Sequence, residues 1–184
     1  MTREKALEIL EENLTNKNLI KHCLAVEAIM IALARHFNQD EEKWGQTGLL
    51  HDIDYEKVKD DLSQHSLLGA EMLKDLGIDK DICQAVKVHN ETHGISPQTL
   101  MEKSLFACDP LTGLIVAATL VLPSKKISDL TTQNTLNRFK EKSFARGANR
   151  EIIKRCEDLL GLSLKEFIEI GLRAMQDISE ELGL

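Results

Sequence analysis

The 184 residues carry a net charge of −7, 42% apolar residues, seven aromatics and three prolines. This length suits one domain with a substantial core, and the acidic balance argues against a general nucleic-acid coat protein. Met1 to Lys5 opens a charged helix rather than a signal peptide, and no uninterrupted apolar run reaches membrane-spanning length. The four cysteines, Cys23, Cys83, Cys108 and Cys156, form no CxxC pair and read as small buried thiols. A cytoplasmic protein without membrane or nucleic-acid partners is the expectation.

The composition favours helix, and no alternating strand pattern, repeat or low-complexity linker interrupts it. Thr2 caps a first helix whose Ala6, Ile9, Leu10 and Leu14 share one face. A second helix is predicted from about Asn18 to Phe37, with His22 on its inward side. Asp40 caps a third, which carries Trp44, Leu49 and Leu50 and ends near His51-Asp52. After a charged, irregular stretch from Ile53 to Ser63, a fourth helix is expected to open at His65 and stop at Gly77. A fifth runs from Asp79 to about His89, with Gly94 as a stop. Ser96-Pro97 has the chemistry of a helix start, and the helix it opens is expected to continue toward Leu122, bent at Pro110 beside Asp109. Two further helices are predicted at about Glu151–Leu160 and Ser163–Leu182, the latter with a Ser163-x-x-Glu166 capping box. The whole reads as one all-α domain, with a core at about residues 18–122 and a basic and C-terminal helical part at 123–184.

His22, His51, Asp52, His65, His89 and Asp109 interrupt this pattern, most of them among Leu, Ala and Val. Imidazole and carboxylate are costly to bury without partners. Taken singly, a hydrogen-bonded core histidine, a kink device or a dipole-favoured last-turn residue explains each one. Taken together, a divalent metal held between helices explains all of them. His51 and Asp52 leave their helix about 100° apart and can grip one ion between them, with His22 and Asp109 completing the set. Two imidazoles and two carboxylates suit Mn, Fe, Co, Ni, Zn or Mg. Open positions would hold water made acidic by the metal.

The order H…HD…D, with the doublet inside Leu49-Leu50-His51-Asp52-Ile53-Asp54-Tyr55, resembles the HD superfamily of metal-dependent phosphohydrolases from roughly His22 to Leu122. The resemblance implies an HD-type helical bundle. It also implies that the segments at His65-Ser66 and Val88-His89-Asn90-Glu91 bring His65 and His89 to a second ion, bridged by Asp52. Some binuclear members have a second histidine at Asn90, so one tight site and a weaker second site are expected. The Gly-Tyr-Pro motif of cyclic di-GMP phosphodiesterases is absent after Gly94. Asp54 and Tyr55 stand where many members read Gly-Lys.

The function implied is hydrolysis of a nucleotide or other small phosphorylated metabolite by metal-activated water. Asp54 and Glu56, close behind catalytic Asp52, are candidates to move a proton to the leaving alkoxide. Lys125 to Arg155 holds nine Lys or Arg against three acids, a local balance of +6. From it, Lys125, Lys142 and Arg146 are candidates to hold substrate phosphate, the last two together if their segment is helical. A solvated helical face explains the same charges. Two alternatives stand beside this reading: a di-iron HD-type oxygenase, and a non-catalytic metal-stabilised binding domain. The terminal helix around Phe167, Leu172 and Met175 offers a homodimer contact or a core face.

Overall fold

The computed structural model describes residues 1–184 and contains helices, three short 3-10 turns and no strand. Helix α1 (Arg3–Asn13) is capped by Thr2 and pinned to α2 (Lys17–His36) by Arg3, whose guanidinium grips the buried Glu27 carboxylate at 2.7 and 2.8 Å. A buried carboxylate in that two-pronged geometry has both oxygens satisfied. Helix α3 (Glu41–Leu50) starts at Asp40 as its capping chemistry predicts. It lies so close to α2 that a Cβ on Gly48 would stand 2.8 Å from the Val26 carbonyl oxygen and the Glu27 nitrogen. Only glycine permits that approach, which brings His51, three residues on, toward His22.

His65 is not the first-turn helix residue expected. A 3-10 turn at Leu62–Gln64 precedes it, and Ser66 adopts φ +71° before α4 (Leu67–Asp75) begins. Helix α5 (Lys80–Val88) runs from its Asp79 cap to His89. Ser96-Pro97 does not start the next helix either. Thr99 takes the cap, accepting from the Glu102 amide, while the Glu102 carboxylate accepts from the Gln98 amide. These two bonds outweigh a proline placed three residues too early. Helix α6 (Leu100–Leu120) then runs through Pro110 as one element. It is long and apolar enough to cross a membrane, but most of it is buried inside the protein.

The basic segment is also built differently from expectation. Helix α7 (Thr132–Lys140) opens on a Thr131–Asn134 capping box, and residues 141–149 follow in turns. Arg150 organises those turns: its guanidinium donates to the carbonyls of Arg138, Phe139, Glu141, Phe144, Ala145 and Ala148. Helices α8 (Arg150–Lys154) and α9 (Cys156–Leu160) divide at Arg155, and α10 (Leu164–Asp177) is separated from α11 (Ser179–Leu182) at Ile178. Helix α2 lies at the centre, against α3, α6 and α10. One contiguous apolar core extends from Ala6 to Leu182. Phe167, Leu172 and Met175 on α10 face into it.

Candidate metal centre

The six residues singled out in the sequence come to one place. Asp52 is the hub: its Oδ1 lies 3.2, 3.3 and 3.5 Å from Nε2 of His51, His65 and His89. Its Oδ2 lies 3.5 Å from His22 Nε2. Asp109 Oδ1 stands 3.1 Å from His22 Nε2 and 3.8 Å from His51 Nε2. His51 is fully buried and His89 nearly so, whereas the His22 and Asp109 side chains are 26% and 30% exposed. The cluster therefore opens to solvent on the His22–Asp109 side.

Each imidazole is held by its other nitrogen. His51 Nδ1 donates to the Gly48 carbonyl at 2.8 Å and His89 Nδ1 to the Val86 carbonyl at 2.6 Å. Both residues sit at helix C-termini, where the last carbonyls lack partners within the helix. His65 Nδ1 pairs with Asp54 Oδ1 at 2.9 Å. His22 Nδ1 lies 3.0 Å from Thr112 Oγ1, and that hydroxyl donates to the Asp109 carbonyl, so it can only accept from His22. With the Nδ1 atoms of His22, His51 and His89 carrying the protons donated to these acceptors, their Nε2 lone pairs are aimed inward.

That arrangement fits a cation. His22 Nε2 and His51 Nε2 are 3.1 Å apart, and two lone pairs at this separation need a proton or a metal ion between them. Two ligand sets have atoms close enough to share one ion: His22, His51 and Asp109, and His51, Asp52 and His89. Imidazole and carboxylate together suit a borderline or hard divalent ion.

The electrostatics follow from the same crowding. Burial pushes His51 down to about 4, so its ring is neutral at physiological pH, the form that could bind a metal. Burial opposes protonation of His65, but hydrogen bonds to Asp52 and Asp54 raise it to about 10. His22 is likewise raised against burial by Asp109 and Asp52. Burial works against the Asp52 and Asp109 carboxylates, yet the surrounding imidazoles hold both below the usual carboxylate range.

Two nominated proton carriers are placed elsewhere. Asp54 has no solvent exposure, and its carboxylate accepts from His65 Nδ1, the Ser66 amide and the Gly69 amide. It faces His65, away from solvent. Glu56 accepts from the Thr15 and Asn16 amides and the Thr15 hydroxyl, holding the start of α2.

The three nominated cations are also redistributed. Lys125 lies beyond the end of α6, whose axis separates Leu120 from Asp109 by about 16 Å at 1.5 Å per residue. Lys142 and Arg146 are exposed on turns, so one-turn helical spacing does not aim them together. It is the neighbouring stretch Gly147–Asn149 that folds back over the centre. It lines a cavity of about 240 Å³ with His22, His89 and Asp109. Glu91 and Asn149 also line it and are joined by a hydrogen bond of 3.1 Å. Thr112, Glu91 and Asn149 had no role assigned from the sequence; Thr112 lies one helical turn after Asp109 and Glu91 closes the His89 segment, whereas Asn149 had no local signal. Asn90, expected near the second ion, instead caps the turn at Glu91–His93 and approaches the His65 carbonyl, which also accepts from His93.

The HD domain family matches residues 19–114. A segment of 140 residues is 31% identical to Ribonuclease Y of Nitratidesulfovibrio vulgaris, covering 74% of this chain and 27% of that protein. The Lawsonia intracellularis Ribonuclease Y is 28% identical over 139 residues, covering 74% of this chain and 26% of that protein. An uncharacterised protein of Methanocaldococcus jannaschii is 36% identical over 110 residues, covering 57% of this chain and 63% of that protein. The chain thus spans about a quarter of the length of the Ribonuclease Y relatives. No solved structure matches it.

Proposed function

Because the chain belongs to the HD-domain family, a family of metal-dependent hydrolases, we propose that it hydrolyses the phosphate ester of a small metabolite or nucleotide. The observation that carries this reading is the convergence of His22, His51, Asp52 and Asp109 on one point, with Nε2 lone pairs fixed inward and one side open. These four would hold the tighter ion; Asp52, His65 and His89 would hold a weaker one. A divalent ion there supplies an acidic water and a Lewis acid for phosphoryl oxygens.

The protein's own contribution is placement. The hydrogen bonds at Nδ1 of His22, His51, His65 and His89 fix the rings before any ligand arrives. Phe106, Ala148 and Ile152 form the apolar wall of the 240 Å³ cavity and limit water beside the exposed edge. Glu91 is the carboxylate on that cavity besides Asp109, and it takes the proton-carrying role for the leaving alkoxide in place of Asp54 and Glu56.

RNA is the second reading, favoured by the likeness to Ribonuclease Y over 74% of the chain. A net charge of −7 opposes a polyanion, and a cavity of this size suits a small ester. Metal analysis followed by stripping, reloading and assay on phosphomonoesters, phosphodiesters and short RNA tests the proposal. Metal-dependent turnover of a small phosphate ester is expected, with Asp52→Ala losing metal and turnover but not helicity. RNA cleavage without turnover of any small ester would replace this reading with the second.

A further inference from the structure

We propose that the groove between α2 and α6 is a subsite for an apolar group carried by the phosphorylated substrate; this rests on the phosphohydrolase reading above. The groove is a second cavity, of about 530 Å³. It adjoins the one over the metal centre, with His22, Thr112 and Gly113 lining both.

Two helical stripes build it. On α2, Asn18, Lys21, His22 and Ala25 follow the spacing that puts residues on one face. On α6, Gly113, Val116, Ala117 and Leu120 follow the same spacing. His22 thus belongs at once to the ligand set and to the wall of the groove. Leu182 and Leu184 add to the apolar lining.

Gly113 stands at the junction. It lies inside a helix, where glycine is unfavourable, and a Cβ built on it meets nothing within 4 Å. No packing constraint therefore accounts for the missing side chain. At this exposed position on the rim shared by the two cavities, the absence of a side chain leaves that rim low. Beyond it the lining is mainly apolar, and Leu120 at the far end is 51% exposed, so its side chain is available to an occupant of the groove.

The occupant follows from shape and adjacency. From Gly113 to Leu120 the groove extends about 10 Å along α6 at 1.5 Å per residue. That is the reach of a short alkyl chain or ring system, and the inner end is the metal centre itself. A group lying in the groove would be tethered to a phosphate at His22 and Asp109. The substrate class is therefore a phosphate ester with an apolar organic part, rather than a highly polar sugar phosphate.

Straight-chain alkylphosphonic acids of two, four, six and eight carbons test this. They keep the anionic head but resist hydrolysis, so calorimetric binding to the metal-loaded full chain reads the subsite without turnover. Affinity should rise with chain length, by up to about fourfold for each methylene fully buried. Ala117→Phe should flatten that gradient along the whole series. Leu120→Gln, at a half-exposed position that the fold tolerates, should flatten it for six and eight carbons. Equal affinity across the series, no binding, or a gradient unchanged in both variants would overturn the proposal. Hydrolysis of ethyl phosphate without any gradient would keep the phosphohydrolase reading and discard the subsite. A gradient with no hydrolysis of any phosphate ester would do the reverse.

Discussion

Thr112 Oγ1 lies 3.0 Å from His22 Nδ1 while donating to the Asp109 carbonyl at 2.8 Å, so one hydroxyl connects the two ligand-bearing helices α2 and α6. Because the hydroxyl proton is committed to a carbonyl, the lone pair facing His22 fixes that imidazole as the Nδ1–H tautomer. The ring's Nε2 is then free to face Asp52 and Asp109. Thr112→Val keeps the shape of a nearly fully buried side chain and removes the hydroxyl, which is both the acceptor for His22 and the donor to the Asp109 carbonyl. Metal affinity should fall about 10- to 100-fold, as for other partners that orient ligating histidines. Competition titration with a chelator reads this, and an unchanged affinity would show that His22 is oriented without the hydroxyl.

Asp54 makes the corresponding contact to His65, but from a fully buried position with two backbone amides also donating to it. Asp54→Asn would turn an amide group, itself a donor, toward one of those N–H groups. Leaving a buried donor unpaired costs about 1–3 kcal/mol. Denaturant unfolding should show a loss of that order, together with weaker occupancy of the His65 site. A variant as stable as the wild type would mean that the Asp54 pocket can rearrange or admit water.

How much of this was legible in the sequence depends on where each signal resides. The helices around Ala6, Leu49 and Ile168 announce themselves by spacing and by the caps at Thr2, Asp40 and Ser163. The six ligand candidates stand out because charge and imidazole are costly among aliphatic neighbours. The role of Asp54 did not stand out, because a carboxylate flanked by charged residues looks solvated until Ser66 and Gly69 fold over it. The start at Thr99 is masked by the local chemistry of Ser96-Pro97, because the bond from the Gln98 amide to the Glu102 carboxylate forms only in the folded turn. The 141–149 turns were hidden because their organiser, Arg150, acts through six carbonyls, and carbonyls leave no mark in a sequence.

Glu56 gives the fold a pH dependence whose sign is fixed. Amide hydrogen bonds from Asn16 and Thr15 hold its carboxyl below the ordinary value of 4.5. A lowered folded pKa contributes stability that is fully present above the unfolded value and lost as pH falls through the folded one. Glu56→Gln should therefore melt at a lower temperature than wild type at pH 7, and the two should converge well below pH 4. Parallel melting curves with a constant gap across that range would show that the contact acts through shape rather than charge.

The basic segment yields a contrast between charge and scaffold. Lys142 and Arg146 are exposed, lie on turns and do not line the cavity over the metal centre, so their charges are screened by salt and solvent. The double change of Lys142 and Arg146 to Ala should leave metal content and kcat/KM for a turned-over phosphate ester unchanged. Arg150, half-buried beneath the same turns, is the residue on which Gly147–Asn149 depends. Arg150→Met retains much of the stem's apolar contact but abandons the carbonyls of residues 138–148. It should destabilise the protein by roughly 2 kcal/mol or more, since hydrogen bonds to charged groups contribute about 1.5–3 kcal/mol each. It should also raise KM by loosening the wall beside His89 and Asp109. Lysine should not rescue it, because an ammonium cannot spread donors across a planar fork. If instead the double variant raises KM while Arg150→Met does not, the exposed cations hold the substrate and the turns are only their support.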